Sequence, residues 1–177
     1  VLGFVIPTEW FQSVNPVFII LLAPLFSMFW GFLSKRGKNP SIPIKMAMGM
    51  ILLGLGFVLM LGAVWQRGGD DASVLVKANL LWLLGTYLMH TMGELCLSPI
   101  GLSMVSKLSP VRLASLMMGV WMLSSFFANI TAGFIASFFV SLGAMSIFAV
   151  IAVTSILLGL FLLAVSKWLT GKMHGVK

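Results

Sequence analysis

The stretch LLWLLGTYLMHTMGELCLSPIGLSMV, residues 80–105, holds one acidic side chain, Glu94, and no Lys or Arg. A helix crosses a hydrocarbon core with roughly 20 apolar residues, so this stretch reads as a membrane span. A carboxylate at that depth costs at least ~2.5 kcal/mol and normally faces a protein interior or a wet cavity. Glu94 is therefore the leading candidate for a site that takes a proton, a cation or an amine. The other acids, Glu9, Asp70 and Asp71, all lie in polar, loop-like sequence.

Composition extends that reading to the whole chain. Of 177 residues, 60% are hydrophobic and 8% charged, against roughly 25% charged in a typical soluble domain. Four more long apolar segments flank the first, which predicts an all-α polytopic membrane protein forming a single membrane domain over 1–177. The predicted spans are approximately 10–33, 44–64, 76–106, 111–139 and 144–165. The third and fourth exceed the minimum length and have room to tilt, kink or protrude.

The net charge of +7 is spread over loops and ends, which argues for membrane topology and against nucleic-acid binding. Lys35, Arg36, Lys38, Lys45, Lys107, Arg112, Lys167, Lys172 and Lys177 fall on one side of the five spans, and only Arg67 and Lys77 on the other. Basic residues accumulate in cytoplasmic loops. The N-terminus of the chain is thus predicted outside and its C-terminus in the cytoplasm. No stretch resembles a cleavable signal peptide, and a start at Val1 rather than Met points to residues upstream.

Proline and glycine add detail. Pro16 and Pro24 in the first span are expected to free the carbonyls of Gln12 and Ile20, and Pro99 that of Leu95, next to Glu94. Gly49, Gly54 and Gly56 predict close helix contact along the second span. Trp10, Trp30, Trp65 and Trp168 lie near the predicted interfaces, where tryptophan anchors helices.

The remaining polar residues sort by helical face. His90 lies four residues before Glu94 and Tyr87 seven before, so both share its face. Trp121, Ser125 and Asn129 form one stripe on the fourth span, and Gln12 and Asn15 lie near the outer end of the first. Three helices with polar faces suggest a shared cavity. Ser125 and Asn129 have a blander reading as interhelical hydrogen-bond glue, and Trp121 as a packed core residue. Cys96 points elsewhere than His90 and Glu94, so no metal-ligand set forms. Neither a disulfide framework nor a catalytic motif is present. No enzyme activity and no cofactor are expected.

Three motifs then resemble one family in order. WFQSVNP at 10–16 followed by IILLAP at 19–24 is similar to the eighth transmembrane helix of the proton-dependent oligopeptide transporters. GELCLSPIGLS at 93–103 resembles their tenth helix, and MMGVWML at 117–123 their eleventh. These transporters belong to the major facilitator superfamily. The resemblance implies that the chain supplies helices eight to twelve, a C-terminal half without its first helix.

It also implies proton-coupled symport of di- and tripeptides across the cytoplasmic membrane, with protons as the coupling ion. Small peptides, the lipid bilayer and the missing N-terminal half would be the partners. Glu94 would bind the peptide amino terminus and Asn15 a polar part of the peptide. Trp121 and Ser125 would line the side-chain pocket, with His90 and Tyr87 as candidates for proton handling or support of the site. The alternatives are a major facilitator carrier of another amine or a nitrate-type substrate, and a non-transporting membrane scaffold subunit.

Overall fold

A computed structural model describes residues 8–70, 78–138 and 142–173 of the chain. Five long helices follow one another: α1 Val14–Lys35, α2 Ile42–Gln66, α3 Leu80–Leu108, α4 Ala114–Ser137 and α5 Ala144–Lys172. Short 3-10 turns, Thr8–Ser13 and Val111–Leu113, lead into α1 and α4. Each helix, with its lead-in where it has one, is long and apolar enough to cross a membrane. At 1.5 Å per residue the helices measure about 33 to 44 Å. The described residues contain no strand, so the all-α expectation holds.

Most of the described helix ends lie within a few residues of the bounds expected for the apolar segments, and the last helix runs on to Lys172. The predicted beginning of the third span at Val76 and the end of the fourth at Phe139 lie outside the described residues. One expectation needs correction. Pro16 does not interrupt a helix, because α1 begins only at Val14. Pro16 therefore sits in the first turn, where a backbone N–H has no partner within the helix and its loss costs little. Pro24 and Pro99 do lie inside α1 and α3.

α2 is the centre of the bundle, packed against α3 on one side and α5 on the other. Small residues make this possible. A β-carbon on Gly49 would stand 2.8 Å from the Gly93 carbonyl oxygen of α3. On the other face, a β-carbon on Gly54 would stand 2.6 Å from the Ile156 side chain, and one on Gly159 2.7 Å from Ile51. In lipid, apolar side chains gain little by meeting each other rather than acyl chains, so helices associate where backbones pack closely. The glycine faces read from sequence are those seams.

α1 and α4 pack differently. Among the long helices each brings its backbone close to α3, with the Lys45 ammonium of α2 also reaching over the Trp30 ring of α1, and neither contains a buried residue. α3 thus carries a face for α2, one for α1 and one for α4. At the end of the bundle opposite Lys35 and Ile42, the Asp70 carboxylate accepts the Met145 N–H at 3.1 Å in the first turn of α5. The turn into α5 needs Gly143, whose φ is +77° and whose missing β-carbon leaves room for that carboxylate.

Candidate substrate-binding site

The site begins where α1 starts against the middle of α3. Asn15 is in the first turn of α1, and its Nδ2 donates to Glu94 Oε2 at 3.1 Å. One turn earlier on α3, the Thr91 hydroxyl lies 2.5 Å from Asn15 Oδ1 and 2.8 Å from the Tyr87 carbonyl. Glu94 and Asn15 are each half-buried, and Thr91 is fully enclosed. Three polar side chains from two helices thus form one connected cluster within apolar spans.

Sequence reading identified Asn15 and Glu94 but missed Thr91. A threonine in a helix ordinarily bonds the carbonyl four residues back, so its presence carries no signal of a site. Its second partner belongs to another helix and appears only in three dimensions.

The other candidates are placed as follows. Trp121 of α4 lays its indole against Gly101 of α3, where any β-carbon would collide with the ring. Gly101 lies seven residues beyond Glu94 on the same helical face, about 10 Å along the axis. A groove of about 430 Å³ opens beside Trp121, lined by Met104, Val105, Met117, Val120 and Ser124 among others. Ser125 is not in that lining. It is exposed on α4, and its carbonyl accepts the Asn129 side-chain amide at 2.8 Å. The stripe of Trp121, Ser125 and Asn129 therefore reaches α3 through its tryptophan.

His90 turns towards α2. Its ring lies 4.8 Å from Phe57, centroid to centroid, and fills the space beside Gly56. Its Nε2 is buried without a hydrogen-bond partner among the described residues, so the shared face with Glu94 does not become a shared contact. Tyr87 joins the cluster through its carbonyl, which accepts from Thr91. Cys96 is buried against α2 near Gly49, apart from the polar cluster. Gln12 is exposed.

A half-buried carboxylate held by an amide between helices suits a cationic group arriving from a cavity. Comparison with known proteins identifies the family. The model of the POT family matches residues 1–166. The chain belongs to the POT family, the proton-dependent oligopeptide transporters.

As a POT-family chain it is a multi-pass membrane protein and not an enzyme. It is 44% identical over 138 residues to the peptide transporter YePEPT of Yersinia enterocolitica, covering 76% of this chain and 26% of that one. It is 32% identical over 174 residues to a di-/tripeptide transporter of Lactococcus lactis subsp. cremoris, covering 98% of this chain and 34% of that one. A crystal structure of a mutant peptide transporter POT in complex with alafosfalin superposes with a TM-score of 0.86 at 36% identity. It is matched over 98% of this chain and 34% of its own. The chain thus spans about a third or less of the length of these relatives.

Proposed function

We propose that this chain supplies helices eight to twelve, as one membrane domain, of a proton-coupled symporter of di- and tripeptides. The observation that carries the reading is the hydrogen bond from Asn15 to Glu94 inside apolar helices. An ionised carboxylate offers about four acceptor positions, so a bond from Asn15 leaves others for the three N–H donors of an ammonium group. Attraction between opposite charges strengthens as the surrounding dielectric falls, which favours this pairing at membrane depth. The peptide-transporting names of the relatives support an amino terminus as that ammonium.

In this reading Glu94 receives the peptide amino terminus and Asn15 orients the carboxylate. Trp121 and Ser125 contribute to the side-chain pocket from α4, and His90 and Tyr87, one and two turns before Glu94 on α3, are candidates for proton handling or support of the site. The N-terminal half of the transporter closes the cavity and binds the rest of the peptide. The protein lies in the cytoplasmic membrane, with the start of α1 outside and the end of α5 in the cytoplasm. That orientation follows from the excess of basic residues at the α1–α2 and α3–α4 connections.

The test is uptake of labelled dialanine into proteoliposomes carrying the full-length transporter, driven by an inward proton gradient. Uptake that depends on the gradient and falls severely in Glu94→Gln supports the reading. Gradient-dependent uptake unchanged by that substitution would overturn it.

A further inference from the structure

The Asn15 amide can present either of two ends to Glu94, and the residue behind it decides which. An ionised carboxylate only accepts hydrogen bonds, so it must meet the NH2 end. Asn15 Nδ2 faces Glu94 Oε2 at 3.1 Å. This turns Oδ1 back into the protein, towards the Thr91 hydroxyl at 2.5 Å. Thr91 is 0% exposed, so water has no access to stand in for it. Its hydroxyl has one proton and two acceptors in reach, Asn15 Oδ1 and the Tyr87 carbonyl at 2.8 Å. The bond to Tyr87 is the ordinary one of a helical threonine. The bond to Asn15 acts on the site.

We propose that Thr91 is a positioning residue, donating its proton to Asn15 Oδ1 and so holding the NH2 end of the amide towards Glu94. The role rests on the reading of Glu94 as the receiver of a substrate ammonium. With its proton turned to Tyr87 instead, Thr91 Oγ1 becomes an acceptor and the reversed amide is satisfied. Asn15 Oδ1 then faces Glu94, and two acceptors meet unless Glu94 carries a proton. The ionised carboxylate requires the NH2 end of the amide, and the Thr91 hydroxyl supplies the donor that satisfies the other end in that arrangement.

The other titratable groups among the described side chains of the packed helices are placed elsewhere. Lys35 ends α1, about 30 Å along its axis from Asn15. Lys45 of α2 sits over the Trp30 ring at 4.7 Å. α4 has no charged residue, and Arg112 lies in the turn before it. On α3 itself His90 and Cys96 face α2, and Lys107 lies in the last turn. The Tyr87 carbonyl accepts from Thr91, and no polar contact joins the Tyr87 ring to Glu94 among those described.

The test is dialanine affinity, measured by calorimetry on the purified full-length transporter with Thr91→Val, Thr91→Ser, Glu94→Gln and the Thr91→Val/Glu94→Gln pair. Thr91→Val should weaken binding about three- to tenfold, the range for one lost hydrogen bond, and Thr91→Ser should restore it. In the Glu94→Gln background Thr91→Val should weaken binding no further, because a glutamine amide pairs with either end of Asn15. A packing role would cost the same in both backgrounds, and that result, or no effect of Thr91→Val, would overturn the proposal while leaving Glu94 in place. Glu94→Gln with unchanged affinity would overturn the reading of Glu94 and the positioning role together. Thr91→Ala supplies the same comparison if the valine variant does not fold.

Discussion

The backbones of Gly49 and Gly93 approach so closely that a β-carbon built on Gly93 falls 2.8 Å from the Gly49 carbonyl oxygen. Contact with a backbone atom cannot be relieved by a rotamer change, so α2 and α3 would have to separate. Overpacking of this kind costs about 1–3 kcal/mol. Gly93→Ala should therefore lower the thermal unfolding midpoint of the protein in detergent. Gly119→Ala, where nothing among the described residues lies within 4 Å of the new methyl, should leave the midpoint unchanged or slightly raised. Equal effects of the two substitutions would contradict the packing seam.

A second prediction concerns the far end of the bundle. Asp70 accepts the Met145 N–H from outside helix α5, at the terminus where the helix dipole favours negative charge. Losing such a cap costs about 0.5–2 kcal/mol. Asp70→Ala should lower the unfolding midpoint measurably. Gly143→Ala should lower it more, because it combines a left-handed backbone at φ +77° with a collision against the same carboxylate. Asp70→Ala as stable as the parent protein would remove the cap from the account.

Topology supplies a third. Lys38 and Asp70 flank α2, whose 25 residues extend about 37 Å and so cross the bilayer once. Single cysteines at these positions, in a background without Cys96, should react with an impermeant maleimide from opposite sides of the membrane. Asp70→Cys should be labelled from outside the cell and Lys38→Cys only after permeabilisation. Labelling of both from the same side would refute the span.

How far these features were legible in sequence depends on whether the signal is local. The five long apolar helices were readable because each needs only its own apolar length. Glu94 and Asn15 stood out because polar groups are rare in such stretches. The helix seams at Gly49 and Gly54 were legible as small residues, although which helix each would meet was not. Trp121 and Ser125 share a stripe by periodicity, yet only the placement of α4 against Gly101 directs the indole to α3 and leaves Ser125 exposed. His90 has the spacing to face Glu94, but the space left by Gly56 takes its ring to α2. Pro16 was misread because the start of α1 depends on the 3-10 turn before it. Thr91 was invisible because its role requires a partner 76 residues away.

The central claim is that Glu94, held by Asn15, receives a substrate amino terminus, and affinity in the Glu94→Gln transporter tests it most directly. The substitution keeps size and hydrogen bonding and removes the charge. Hydrogen bonds to charged groups contribute about 1.5–3 kcal/mol, roughly a ten- to hundredfold change in affinity. Calorimetry on the full-length protein should show that loss for dialanine. For N-acetyl-dialanine, which has no ammonium, binding should be weak and little changed by the substitution. Unchanged dialanine affinity in a properly folded Glu94→Gln protein would contradict the account.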